Sequence, residues 1–276
     1  MKTEKLGEQK EKHGENVRIT LSIRRHGAKT PEGELSSEGA LMAQHQGLDW
    51  KDTEPTIRAY ASLFRRANDT LNNLLEGIEV QDDAKLHPLL KRGQKNELTP
   101  PDWKNFDELR VNLKKAKAEG GEHGMVRYLL NEPTAAEDLE NWSAALAGMI
   151  DHYRRLSDRL YDDTNIRTLN IAHDVLIADF LKKVLVVRDG DNNRINTDSS
   201  DALDKFFDTI GGPINYLEGF DFKIYSPQKG AEKTIKIILR GKEYDVDESK
   251  FNDLVQKANL NLHKGRGDKQ DWRQEK

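Results

Sequence analysis

The sequence predicts an α/β fold, a three-layer α/β/α sandwich with a mainly parallel sheet and a helical insertion. Three observations carry that prediction. Short runs of alternating apolar residues are each followed at once by a longer stretch with helical spacing. The strand-then-helix order recurs from residues 17, 56 and 167, which implies parallel strands covered on both faces. At 276 residues, the chain is also long enough to bury a sizeable core.

The first strand is "VRITLSI" (17–23), where Val17, Ile19, Leu21 and Ile23 alternate with other residues. A loop leads to "LSSEGALMAQHQGLDW", in which Ser36 or Ser37 ahead of Glu38 marks a helix start. "TIRAYAS" (56–62) is a second strand running into the helical "LFRRANDTLNNLLEGI". Between residues 97 and 165 the pattern is helical and polar, punctuated by Pro100, Pro101, Gly120, Gly121 and Pro133, and is expected to form a helical cap inserted into the domain. "RTLNIAHD" (167–174) is a third strand, followed by the helical "DVLIADFLKKVLVV". "FDFKIYS" and "KTIKIILRG" look like paired strands across the turn-rich "PQKGAE". A strand remnant and a final helix complete a domain expected over 16–262. The ends, 1–15 and 263–276, are charged and almost free of aliphatics, and are expected to be disordered.

Composition narrows the function. A net charge of −4 argues against a general nucleic-acid binder. The chain has no cysteine, which excludes disulfides and thiolate metal sites and fits a reducing compartment. The start lacks the apolar core of a signal peptide. The best spanning candidate, "VLIADFLKKVLVV", is interrupted by Asp179, Lys182 and Lys183 and is too short for a bilayer. The expectation is a cytoplasmic protein with no nucleic-acid or membrane partner.

"RITLSIRRHGAKTP" poses the functional question, because a strand that reads as core finishes on two arginines, a histidine and a glycine. In open parallel sheets, ligands bind beyond the carboxyl ends of strands. Three strand ends carry Arg25-His26, Ser62 leading to Arg66, and His173-Asp174, and these should converge at one sheet edge. Arginine forks match phosphate geometry at two points, and imidazole can form a covalent intermediate. Gly27 is expected to let backbone approach the anion closely.

These residues resemble the histidine phosphatase superfamily, with its phosphoglycerate mutase-like fold. "RRHGAKTP" is similar to the R-H-G signature, and to the longer R-H-G-x-R-x-P form of the histidine acid phosphatase branch with Lys29 in the second arginine's place. "LSSEGALMA" is similar to the L-[ST]-x-x-G segment that follows. "SLFRRANDT" resembles S-x-L-x-R-A-x-x-T, with Phe64 where leucine is usual, in a register that aligns Arg66 and not Arg65 with the phosphate-binding arginine. "NIAHD" resembles the strand carrying the second histidine, and "GGPINYLEGFDFKIY" looks like the late glycine turn and strand. The resemblance covers residues 17–70, 167–187 and 211–240, and leaves the helical insertion unmatched.

The resemblance implies phosphomonoester hydrolysis through a phosphohistidine on His26. It also implies Arg25, Arg66 and His173 around the phosphoryl oxygens, with Lys29 as a further cation. The substrate would be a phosphorylated small molecule or phosphoprotein; no metal and no cofactor is expected. Asp174 would protonate the leaving group, but it also begins a helix, where aspartate is a favoured N-cap worth about 1 kcal/mol, and both roles stay open. The mutase-like branch takes its acid from a glutamate in an L-x-E segment, where "LHPLLKRG" offers Lys91; this counts against a phosphomutase. A non-catalytic phosphate- or phosphoprotein-binding module on the same fold is the other alternative.

Other motifs carry less. His26 and Arg25 each have an ordinary alternative, as a structural histidine and a surface ion-pair partner. Arg24 should point away from Arg25 and be structural or peripheral. "DGDNNRINTDSSD" mimics the start of an EF-hand but has Arg194 at position six and Ser200 at twelve, so it reads as a polar loop. His123, in "EGGEHGMVR", is placed near the pocket only by its position in the cap. Arg110, Lys114 or Lys115 would help choose a charged substrate if that stretch covers the site.

Overall fold

The computed structural model describes residues 12–50, 56–79, 91–188 and 202–267. Among them a seven-stranded sheet runs in the order β3-β2-β4-β1-β5-β6-β7. β1 (Val17–Arg25) and β4 (Asn165–Ala172) pair in parallel, as do β4 with β2 (Thr56–Ala61) and β2 with β3 (Lys91–Gln94). β5 (Gly219–Ser226) is antiparallel to β1, and β6 (Thr234–Leu239) and β7 (Lys242–Asp245) continue as a meander. Five strands thus point one way and β5 and β7 the other, so the sheet is mixed while mainly parallel in direction.

β1 buries both faces, as a central strand must when helices cover the sheet on each side. Val17, Ile19, Leu21 and Ile23 join the larger core cluster, shared with α4 (Ala136–Leu156), α5 (Asp174–Val184) and α7 (Glu248–Gly267). On the opposite face, Ala59, Ala61, Leu169 and Ile171 meet α1 (Ser37–Asp49) and α2 (Arg65–Glu79) in a smaller cluster. These are the three layers expected.

The stretch 97–165 divides in two. α4 is packed into the helical layer with α5 and α7 through buried Leu139, Leu146 and Ile150, and is therefore part of the sandwich. α3 (Phe106–Asn131) is kinked at Gly120 and Gly121 and reaches the carboxyl edge of the sheet. The sequence reading missed β3. Among the described residues it pairs only with β2, and an edge strand with polar residues such as Arg92 and Gln94 shows no alternation. α6 (Ala202–Ile210) was also unassigned, although Leu203, Phe206, Phe207 and Ile210 form a buried stripe at helical spacing.

Both expected tails need correction where they are described. His13 bridges to Tyr161, and the Gly14 N–H donates to Leu160 O at 2.9 Å, so residues 12–15 are tied to the domain. α7 continues through Gly267. The rest of the tails, and the rejected EF-hand segment, lie outside the described residues. No described helix is long and apolar enough to cross a membrane.

Candidate functional site

Three adjacent strands, β2, β4 and β1, deliver the site, and the end of β4 holds its neighbours in place. The His26 N–H donates to Ala172 O at 3.1 Å, and the Ser62 N–H to Ile171 O at 3.0 Å. The backbone of His173, the next residue, caps α5. Segments far apart in sequence are thus held together by the sheet's own hydrogen bonds.

His26 is 2% exposed. Its Nδ1 lies 2.8 Å from Gly27 O; a carbonyl only accepts, so Nδ1 carries the hydrogen and Nε2 has the lone pair. Arg66 Nε donates to that Nε2 at 3.0 Å. Arg66 Nη2 also lies 3.3 Å from His173 Nδ1, and Ser62 Oγ lies 3.0 Å from His173 Nε2. Since guanidinium only donates, His173 accepts at Nδ1 and donates from Nε2 to the hydroxyl. The two imidazoles sit edge to face, ring centroids 5.1 Å apart. Burial, then the Arg66 charge, pushes His26 down to about 3. Burial likewise takes His173 well below the usual histidine value, with His26 and Arg66 adding to it. Both rings are therefore neutral bases at working pH.

Arg25 is equally buried and stands at the floor of the site. Its Nη2 meets Asp174 Oδ2 at 2.8 Å and Glu122 Oε2 at 3.3 Å, its Nη1 donates to Ile214 O at 2.9 Å, and its Cζ lies 4.1 Å over the Tyr216 ring. Asp174 is the first residue of α5 and not its cap. Its Oδ1 accepts from the Val175 N–H at 2.9 Å, so a carboxylate at a helix N-terminus is tied to an arginine. Lys29 reaches the same place, with Nζ 3.2 Å from Glu122 Oε2. The structure thus brings together His26, Arg25, Arg66, His173, Asp174 and Lys29.

Gly27 plays a different part from the one expected. A Cβ there would lie 2.8 Å from Leu35 Cδ1 and 3.0 Å from Gly39 O, so the missing side chain makes room for the start of α1. Gly39 is the counterpart, with a virtual Cβ 2.4 Å from Ala28 O. Ser36, the N-cap of α1, accepts from the Gly39 N–H and donates to Ala28 O, fixing the loop after His26 to the helix. Arg24 points to the other face, onto Asp221 at 2.5 Å and over Trp50, and its largely buried ion pair gives it the structural alternative of the two expected. Arg65 is largely exposed beside Glu34 and Asp69.

Sequence reasoning missed Glu122 and Tyr216. Burial alone would raise the Glu122 carboxyl, but Lys117 and Lys29 override it and hold it at about 2. It is the neighbour of His123 that reaches the site, and the α3 lysine in contact is Lys117, not Lys114 or Lys115. Phe64, the departure from the usual leucine, lies beneath the Arg66 guanidinium at 4.7 Å and edge-on to His173 at 5.4 Å. Arg240 braces the 211–218 turn that brings Ile214 O and Tyr216 to Arg25: its guanidinium grips Glu218 at 2.5 and 2.6 Å and donates to the carbonyls of Ile210, Gly212 and Pro213. Among the described residues no group of three His, Asp or Glu is arranged to hold a metal.

A neutral imidazole with an unprotonated, cation-flanked nitrogen can attack an anionic electrophile once the Arg66 hydrogen bond gives way, and the surrounding cations can hold the charge that moves. No protein-family model matches the chain, and no curated protein matches it. Solved structures do resemble it. A phosphoglycerate mutase from Bacillus anthracis is 17% identical, with 87% of this chain and 98% of that one covered and a TM-score of 0.48. A structure described as mycobacterial hydrolase 2 is 15% identical, covering 88% and 97%, TM-score 0.49. A mycobacterial glucosyl-3-phosphoglycerate phosphatase is 16% identical, covering 75% and 89%, TM-score 0.42.

Proposed function

We propose that the chain is a phosphomonoester hydrolase of the histidine phosphatase kind, working through a phosphohistidine on His26 Nε2. One observation carries the reading: the Gly27 carbonyl holds the proton on Nδ1, which leaves the Nε2 lone pair facing the Arg66 guanidinium.

A terminal phosphate entering between Arg66 and Lys29 replaces the hydrogen bond from Arg66 to His26. Nε2 then attacks phosphorus, the P–O ester bond breaks, and the leaving oxygen takes a proton. Asp174, directly after His173, is the group assigned to supply that proton, which its carboxylate first takes up from solvent as the phosphate draws Arg25 to itself. In the second half, water attacks phosphorus, the P–N bond breaks, and the water's proton returns to the Asp174 carboxylate. Arg66 stays on the equatorial oxygens throughout, where charge builds in the transition state, and His173 joins it by shifting its hydrogen to Nδ1, with the Ser62 hydroxyl then donating to Nε2. Asp174 also orients Arg25, so its substitution has two effects that leaving-group dependence separates.

The test is hydrolysis of p-nitrophenyl phosphate and a panel of phosphometabolites, with acid-sensitive, base-stable phosphoprotein trapped in rapid-quench experiments. Label on His26 is the expected result. Equal turnover in wild type and His26→Ala would remove the mechanism.

A further inference from the structure

Two of the cations that this reading reserves for phosphate already hold an anion. Glu122 Oε2 lies 3.3 Å from Arg25 Nη2 and 3.2 Å from Lys29 Nζ, while its Oε1 lies 2.9 Å from Lys117 Nζ. The carboxylate is delivered by a break in α3. Gly120 has φ −132° and ψ 15°, and Gly121 has φ 62° and ψ −153°, a conformation open essentially to glycine alone. A Cβ on either would meet nothing within 4 Å, so packing does not require these glycines. What they permit is the kink, at a cost of about 1 kcal/mol each in a helix interior. The outcome of that kink is a carboxylate lodged on the phosphate cations. Lys117 and Lys29 hold it ionised well below the usual carboxylate range, so it sits there as an anion.

We propose that Glu122 is a built-in competitor for the phosphoryl site, surrendering Arg25 and Lys29 only to an anion that binds them better than a carboxylate does. A terminal phosphate brings two negative charges and three free oxygens against the carboxylate's one charge and two oxygens, so it wins the exchange. A phosphodiester or a carboxylic acid brings one charge and two free oxygens, and gains nothing by displacing it. The substrate class follows as dianionic phosphomonoesters, with monoanions refused at the binding step. This rests on the phosphate reading above, and the experiment separates the two.

The full chain is titrated calorimetrically with inorganic phosphate and with dimethyl phosphate, as wild type and as Glu122→Gln. Wild type is expected to bind phosphate and not dimethyl phosphate. In Glu122→Gln, phosphate should bind about 3- to 10-fold more tightly, the scale expected for loss of partly exposed ionic competition, and dimethyl phosphate should become a measurable ligand. Glu122→Asp keeps the charge but draws the carboxylate back by one methylene, so it should tighten phosphate to a smaller degree; it also serves if the glutamine variant does not fold. Phosphate binding that is unchanged or weakened in the folded variant overturns the competitor while leaving the phosphate site standing. Failure of wild type and both variants to bind phosphate overturns both.

Discussion

Arg66 Nε and His26 Nε2 are 3.0 Å apart, and that contact defines the resting site. The same guanidinium spans to His173 Nδ1, so one side chain from α2 bridges the imidazoles that directly follow β1 and β4. Lysine cannot make that bridge, having a point charge in place of a fork. Arg66→Lys is expected to lower kcat/KM about 10²- to 10³-fold, the range for losing a preorganised donor to developing charge. Steady-state kinetics on p-nitrophenyl phosphate checks it; retained activity within twofold would remove Arg66 from the transition state.

His26→Ala should reduce turnover about 10⁴- to 10⁶-fold, as removal of a nucleophile does in a well-studied hydrolase. Intact-protein mass spectrometry after acid-free quench should show no phosphorylated species. Because the ring is buried against Gly27 O and Arg66, the variant's fold is to be verified by circular dichroism.

Asp174→Asn should separate substrates by leaving group. Alkyl phosphates, which need a proton on the departing oxygen, should slow by about 10²- to 10⁴-fold. For p-nitrophenyl phosphate the departing group needs little help, and a loss of less than about tenfold is expected on the same grounds. An equal loss on both would mean that Asp174 acts only by orienting Arg25, its partner at 2.8 Å.

The depressed histidines make a prediction about stability and pH. His26 falls from 6.5 to about 3 on folding, and His173 moves the same way. Below about pH 6.5 the unfolded chain takes up protons that the native rings refuse, so stability is full above that pH and falls as pH drops toward 3. Glu122 acts at lower pH in the same sense, its stabilising ionisation being lost from 4.5 down to about 2. Melting temperatures measured from pH 8 to 4 should decline, and less steeply in His26→Gln. Nucleophile protonation should not appear as an acid limb of kcat/KM above about pH 4, since Nε2 keeps its lone pair there.

Gly39→Ala tests the link between α1 and the loop after His26. Its Cβ would fall 2.4 Å from Ala28 O and 2.7 Å from Ala28 N, both backbone atoms that cannot rotate away. Destabilisation of about 1–3 kcal/mol or more is expected from such overpacking, with KM for phosphoesters rising as Lys29 is displaced. Urea unfolding and kinetics read the two effects.

Much of this site was legible in the sequence because its core sits at strand ends. A run of alternating apolar residues that stops at Arg25-His26, or at Ala172 before His173, marks where a sheet hands over to a loop, and those ends converge by topology alone. Glu122 was not legible for the opposite reason. It lies in a polar helical stretch among many other glutamates and lysines, and only the Gly120–Gly121 kink carries it to the cations. The adjacent glycines were visible as punctuation, but punctuation alone does not say which way the chain then turns. Gly27 was misread because a glycine after a catalytic histidine suggests room for ligand; the space is filled by Leu35 and Gly39. The pairing of Arg25 with Asp174 needs three dimensions, since nothing local links them.

The position of β4 between β1 and β2 turns the sheet into a gauge block for the cationic site at its carboxyl edge. The outer two strands stand two inter-strand spacings apart, about 9.5 Å, and the intervening tip sets the height of His173 relative to His26 and Ser62. Such a floor neither widens nor narrows without tearing the ladder. Any adjustment to cargo of different bulk must therefore come from the rim, from α3 and the Arg240-braced turn, and amide exchange should find these softer than Ile23 or Leu169.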